Sequence, residues 1–209
     1  MPSTLSLHIE KLVPGGDGLA RHEGRVVFVP GVLPGEEVTA ELVESKKDFA
    51  RARPVSIGKA SPDRVAPPCR LAGVCGGCDW LHIDSAAQAR QKVELVRDSL
   101  RRLAGFDLPN LKAVTGAALG YRNRVQVHAD GAGGVGFQAR GSNSIVRVPE
   151  CPVAHPALAP LFRDGTRAPR GTRFLAYGHT GPDAAGRLFR EDEAPDSEVT
   201  VRVQDRDIV

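Results

Sequence analysis

No window of this 209-residue chain approaches the roughly 18 consecutive apolar residues of a membrane-spanning helix, so none is expected. The N-terminus, MPSTLSLHIEKLVPGG, has no basic segment ahead of an apolar stretch; it reads as a strand start rather than a signal peptide, and a cytoplasmic location is the expectation. Aromatic residues make up only 5%, and no electron-partner motif accompanies them, which argues against a redox carrier. Charge of one sign is also lacking: 28 Lys and Arg stand against 25 Asp and Glu. There is no internal repeat and no low-complexity tract. Cysteines number only four, in a chain without a secretion signal and too large for a disulfide-stapled scaffold, so a disulfide framework is disfavoured.

What is present is an ordinary globular composition, 41% hydrophobic and 25% charged, enough for one or two cores. The small charge excess is concentrated: residues 85–150 hold ten Lys and Arg against five Asp and Glu. A basic stretch suits a polyanion such as nucleic acid, with a solvated helix face as the alternative.

The first 60 residues read as five short strands. Leu5–Ile9 and Glu37–Val43 alternate apolar and polar residues, Gly18–Arg21 runs into a His22-Glu23-Gly24 turn, and Arg25–Val29 and Ala50–Ile57 complete the set. Five strands at this spacing predict a small closed barrel. Prolines between 61 and 68 mark a connector into a cysteine-rich loop. Ser85–Leu103 then reads as a helix with Ser85 as N-cap and Gly105 at its end, its apolar face formed by Val93, Val96, Leu100 and Leu103. Strands are expected again at 124–129, 134–139, 145–148, 173–176 and 199–203, with a short helix at 155–162. The fold class predicted is thus a small β-barrel (1–60) followed by a small α+β domain (61–209).

The four cysteines are the strongest chemical signal. Cys69, Cys75 and Cys78 follow a C-x5-C-x2-C spacing, and Cys151 stands before Pro152. Gly76 and Gly77 leave room for backbone N–H groups to approach sulfur. Three thiolates from one loop and a distant fourth suit a [4Fe–4S] cluster, and proline after a ligating cysteine recurs in ferredoxin-type motifs. Four-thiolate zinc is an alternative, although such sites usually carry two C-x2–4-C pairs. His82 is a candidate fourth ligand in place of Cys151, or a packing residue.

Several ordered stretches resemble one family. They are Gly15-Gly-Asp-Gly-Leu-Ala20, Val27-Phe-Val-Pro30 and Leu33-Pro-Gly-Glu-Glu-Val38; Cys69…Cys75-Gly-Gly-Cys78…His82 with Gln88 and Lys92; Tyr121-Arg-Asn-Arg124; and Gly136-Phe137…Ser142…Ile145-Val146…Cys151-Pro152. Spanning residues 5 to 158, they resemble the RNA (uracil-5-)-methyltransferases that carry an N-terminal TRAM domain and an iron–sulfur cluster. Ser85 departs from the aromatic residue common there. The resemblance implies an RNA-binding OB-type barrel, a [4Fe–4S] cluster on Cys69, Cys75, Cys78 and Cys151, and a ribosomal or transfer RNA partner.

It also implies parts not legible here. Methylation of uracil C5 from S-adenosylmethionine needs a nucleophilic cysteine, a base and a Gly-rich methyl-donor domain, which in the family follow the region matched. A cluster on four cysteines leaves no thiol for catalysis. The one Gly-rich stretch, Gly131–Gly136, reads better as a hairpin than as a cofactor turn. The expectation is therefore the RNA-binding and Fe–S portion of such an enzyme, with no catalytic residue of its own. A stand-alone RNA-binding Fe–S protein, or one half of a split enzyme paired with a separate catalytic chain, is the alternative.

Candidate RNA contacts on the barrel are Arg21, Arg25, Lys46, Lys47, Arg51 and Arg53, around Phe49; basic residues with an interleaved aromatic can hold a backbone and stack a base. Further along, Arg122, Asn123, Arg124 and Arg140 are candidates, with His22, Ser142 and Asn143 beside them. Structural ion pairing is the competing role for each cation.

Overall fold

A computed structural model describes residues 4–163 throughout, and beyond them the backbone of four strands at 173–177, 187–190, 201–203 and 206–208. The chain forms two compact units, Met1–Pro67 with Cys78–Thr115 and Pro68–Gly77 with Gly116–Val209.

The first unit contains strands β1 (Thr4–His8), β2 (Lys11–Leu12), β3 (Gly18–His22), β4 (Arg25–Val29), β5 (Glu37–Ser45) and β6 (Phe49–Lys59). All five expected strands are present, and β2 is the addition. They form one sheet in the order β1-β5-β6-β4-β3-β2. Its ladder is open, with β1 and β2 as edges, instead of the closed ring of ladders expected. Yet β1 and β2 are separated in sequence by only Ile9 and Glu10, so the sheet must curl until its edges meet at that corner. Register shifts along the β5–β6 pair supply curvature. The concave side is lined by Leu7, Ile9, Val27, Val29, Val32 and Val38, interleaved with Ala20, Ala40, Ala50 and Ala52. Small residues between large ones are what a tightly curled sheet accommodates.

Glu36 is fully buried and accepts four hydrogen bonds. Arg64 gives two of them, Nε to Oε1 at 2.6 Å and Nη2 to Oε2 at 2.8 Å, and the N–H groups of Leu33 and Ser61 give the others at 2.8 and 3.1 Å. Arg64 Nη2 also donates to the Gly31 carbonyl at 2.9 Å. Burial alone would push the Glu36 carboxyl up. The Arg64 hydrogen bond, the two backbone donors and the Arg64 charge outweigh burial and hold it below the ordinary glutamate value.

Helix α1 runs over Ser85–Ala104. Asp84, not Ser85, is its N-cap, because the Asp84 carboxylate accepts from the N–H groups of Ala86 and Ala87 at 3.0 and 3.2 Å. Gly105 closes it in the left-handed conformation, as expected. The expected burial of its apolar face does not hold. Ala87 alone is buried, joining Leu12, Leu33 and Ile83 with Trp80 and Leu95 at their edge. Val96 is 48% exposed and Leu103 84% exposed. Among the described residues the helix is fastened in its first turns by Ala87 and Leu95 and by the Lys11–Asp98 ion pair at 3.1 Å.

The second unit holds a five-stranded antiparallel sheet. Its strands are β7 (Arg124–Ala129), β8 (Val135–Gln138), β9 (Ile145–Arg147), β10 (Arg173–Tyr177) and β11 (Arg187–Arg190), in the order β11-β10-β7-β8-β9. A separate ladder pairs β12 (Val201–Val203) with β13 (Arg206–Ile208). A 3-10 turn at Pro156–Leu158 and helix α2 (Ala159–Phe162) stand where the short helix is expected. Their Leu158, Leu161 and Phe162 pack on Val125, Val127, Ala129 and Val135.

The Gly131–Gly136 stretch is the β7–β8 hairpin. Asp130 accepts from the N–H groups of Ala132 and Gly134, both at 2.8 Å, and from Arg147 Nε at 2.5 Å. A Cβ at Gly136 would lie 2.2 Å from the Val146 carbonyl oxygen, so glycine there admits the neighbouring strand. The Arg147 hydrogen bond, with the two backbone donors, holds the Asp130 carboxyl down to about 2.

Two stability outcomes follow. Arg64→Ala leaves Glu36 buried without its cation and should cost about 3–5 kcal/mol in denaturant unfolding. The Glu36 contribution is complete above the ordinary glutamate range and is lost as pH falls through its lower folded value, so the wild-type advantage should narrow in acid. Asp130→Asn should lower the thermal midpoint at neutral pH, with the gap to wild type closing as pH falls from about 4 towards 2; a gap that is constant over this range would refute the assignment.

Candidate functional site

In the second unit, the turn over Arg70–Val74 leads Cys75 into an isolated bridge with Ala139. The Gly76 N–H donates to the Gln138 carbonyl at 2.9 Å and the Arg140 N–H to the Val74 carbonyl at 2.9 Å. A Cβ at Gly76 would lie 3.0 Å from that same Gln138 oxygen, so the loop's close approach to the sheet depends on glycine. The Gly77 N–H points at the Cys75 sulfur, 3.4 Å away. That is the peptide-to-sulfur approach the Gly-Gly pair suggests. Cys75 and Cys151 both pack, half-buried, against the core of the second unit.

Burial pushes the Cys75 thiol up. The Gly77 N–H opposes it, negative charge on Cys151 and Cys69 adds to it, and the Arg122 guanidinium opposes it. Cys69 and Cys151 therefore lie close enough to Cys75 to act on it electrically. None of the four cysteines is in a disulfide. Among the described residues, no three His, Cys, Asp or Glu side chains are arranged to hold a single metal ion. What is present is Cys75 and Cys151 on one core, with Cys69 near Cys75 and a peptide donor aimed at the Cys75 sulfur. Thiols with peptide N–H donors are the ligand chemistry an iron–sulfur cluster takes. Cys78 is half-buried and is counted with the first unit, as is His82. His82 is buried, and its carbonyl accepts from the Val65 N–H at 3.0 Å.

Arg122 is turned inwards. Its Nη1 donates to the Gly77 carbonyl at 3.1 Å, and its backbone pairs with Val153 and His155. It supports the cysteine loop whatever else it touches. Asn123 is half-buried and Arg124 exposed at the start of β7. Arg140 sits in the turn that holds Val74, and Asn143 accepts from Gln138 Nε2 at 3.3 Å.

In the first unit, most barrel cations are already compensated. Arg21 pairs with Glu10 at 2.5 Å, Lys46 with Glu44 at 3.0 Å, Arg53 with Glu41, and Arg51 with Asp17 and Glu44 at 3.4 and 3.6 Å. Arg25 donates to the Ser45 hydroxyl at 3.0 Å, and Lys47 is exposed. The structure brings Phe49 and Arg51 together and adds Phe28. The two rings meet edge to face at 5.9 Å, with the Arg51 guanidinium 5.6 and 5.8 Å from their centres. Phe28 was legible in principle: it lies between Val27 and Val29, which face inwards, so it must face out.

Several known proteins are similar to this chain in sequence or fold. The TRAM domain family matches residues 3–55. An uncharacterized RNA methyltransferase of Bdellovibrio bacteriovorus is 44% identical over 165 residues, covering 78% of this chain and 42% of that protein. The 23S rRNA (uracil(1939)-C(5))-methyltransferase of Methylococcus capsulatus is 41% identical over 160 residues, covering 74% of this chain and 36% of its own length. Among solved structures, the tRNA (uracil-54, C5)-methyltransferase of Pyrococcus abyssi, crystallised with S-adenosyl-L-homocysteine, shares the fold. Its TM-score is 0.50 at 23% identity, with 83% of this chain and 42% of that one covered. The chain thus spans less than half the length of these relatives. Among the described residues, no helix is long and apolar enough to cross a membrane.

Proposed function

We propose, from the premise that the chain belongs to the RNA (uracil-5-)-methyltransferase family, that these residues form the RNA-binding and iron–sulfur portion of a ribosomal or transfer RNA (uracil-5-)-methyltransferase. The observation that carries the reading is the gathering of Cys69, Cys75 and Cys151 in one unit, with a peptide N–H on the Cys75 sulfur. Cys78 is taken as the fourth thiolate from its place in the motif. When bound, the cluster would act as a cross-link between the 69–78 segment and Cys151. Residues 1–60 are read as the RNA-binding barrel and 61–209 as the cluster-bearing domain.

The residues' own work on this reading is binding and support. Arg122 secures the loop through the Gly77 carbonyl and sets a positive charge near the thiolates. RNA contacts are assigned to Arg21, Arg25, Lys46, Lys47, Phe49, Arg51 and Arg53, and to Arg122, Asn123, Arg124 and Arg140. No catalytic residue is assigned. The four thiols are used by the cluster, and the Gly131–Gly136 stretch is a hairpin, so methyl transfer is left to a catalytic domain that binds S-adenosylmethionine.

Anaerobically purified protein should contain about four iron and about four sulfide per chain, with broad visible absorption. Cys151→Ser should lose both the metal and thermal stability; zinc in place of iron, or a metal-free variant as stable as wild type, would defeat the cluster or its cross-linking role respectively. Incubated with S-adenosylmethionine and uridine-containing RNA, these 209 residues should bind RNA and transfer no methyl group. Affinity should fall about tenfold for a fourfold rise in salt if two or three phosphates are contacted. Methylation by the chain alone, or affinity indifferent to salt, would count against the assignment.

A further inference from the structure

We propose that Arg51, seated on Phe28 and Phe49, is a stacking surface for an unpaired RNA base rather than a phosphate contact. The inference rests on the RNA-binding reading above and deepens it.

Strand pairing builds the arrangement. β4 and β6 run parallel, and Phe28 is the register partner of Arg51, while Val26 is that of Phe49. Ala50 and Ala52 on β6 are buried, so Phe49 and Arg51 face out, as does Phe28 between buried Val27 and Val29. The guanidinium lies within 6 Å of both ring centres, the range of cation–π attraction. Asp17 and Glu44 hold its nitrogens at 3.4 and 3.6 Å. Those carboxylates neutralise the charge that a phosphate would seek. They leave a planar group beside two aromatic rings, with its side chain 52% exposed. A fixed guanidinium plane is a surface on which a base can stack, and every base offers a π-face. Lysine has no such plane. Phosphate contact then falls to Arg25 and Lys47, which among the described residues have no carboxylate partner.

The test uses the full 209-residue chain and two fluorescent probes of equal length, roughly 12 units: oligouridine RNA and a fully abasic ribose-phosphate strand. Wild type should bind oligouridine more tightly than the abasic strand. Arg51→Lys, which keeps the charge, should bind oligouridine about 5- to 100-fold more weakly, with its abasic affinity and salt slope unchanged. Arg51→Ala should match it. Phe28→Leu, which alters no charge, should weaken oligouridine binding in the same direction. Melting curves establish that each variant is folded. Wild-type affinity for oligouridine in folded Arg51→Lys overturns the stacking role and leaves the RNA-binding reading standing. Failure of wild type to bind either probe overturns both.

Discussion

Much of the first unit converges on one buried carboxylate. Glu36 joins three parts of the chain at a point water does not reach. Its side chain takes the N–H of Leu33 and Ser61 and the fork of Arg64. Its backbone carbonyl takes the N–H of Ile9, and Gly35 donates to the Ile9 carbonyl. Ile9 is the corner where the two edges of the curled sheet meet. Arg64 in turn forms a bridge with Ile83, beside the Asp84 that caps α1. Sheet corner, proline-marked connector and helix start are therefore set by one ion pair. A carboxylate with no exposed surface is tolerable only with every acceptor position used, which makes this arrangement intolerant of partial loss.

The same economy of charge governs the convex side of the sheet. A count of basic residues suggests a phosphate-binding face, but the sheet offers carboxylates at matching positions. Glu41 and Arg53 are register partners on β5 and β6, as are Glu44 and Arg51. Exposed pairs of this kind contribute little to stability, and salt weakens them. Their larger effect is on binding. A paired cation must give up its carboxylate before it takes a phosphate, so the surface has less grip on an arbitrary polyanion. Planar and aromatic groups lose nothing by such pairing, so on the proposed reading discrimination would shift from backbone charge to the faces of bases.

The strands were legible because alternation at period two survives wherever one face is buried. Leu7, Val38, Ala40, Ala50 and Ala52 mark the inner face without ambiguity. The hairpin at 131–136 was legible from glycine density, and the Cys75–Gly77 contact from the motif. The helix was half legible. Its ends obey local rules, though the cap moved by one residue because a carboxylate accepts two N–H groups where a hydroxyl would serve less well. Its apolar face misled, since periodicity reports what a helix can bury and not whether a partner is at hand. Long-range pairs were not legible at all. Nothing near Glu36 announces Arg64, 28 residues on, and nothing near Arg122 announces Gly77, 45 residues back. Such pairs depend on where the chain returns, which no local window contains.

Cys75 shows how the proposed cluster would depend on its surroundings. A half-buried thiol with other thiols nearby is pushed towards its protonated form, because a thiolate there meets both poor solvation and like charge. Cys75 and Cys151 both pack against the apolar core of the second unit. Ligation would reverse the balance, since a bound cation would favour the thiolates. The Gly77 N–H and the Arg122 guanidinium already favour that second state, since both stabilise negative sulfur and neither aids apolar packing. On the proposed reading, these are two groups a bound cluster would use.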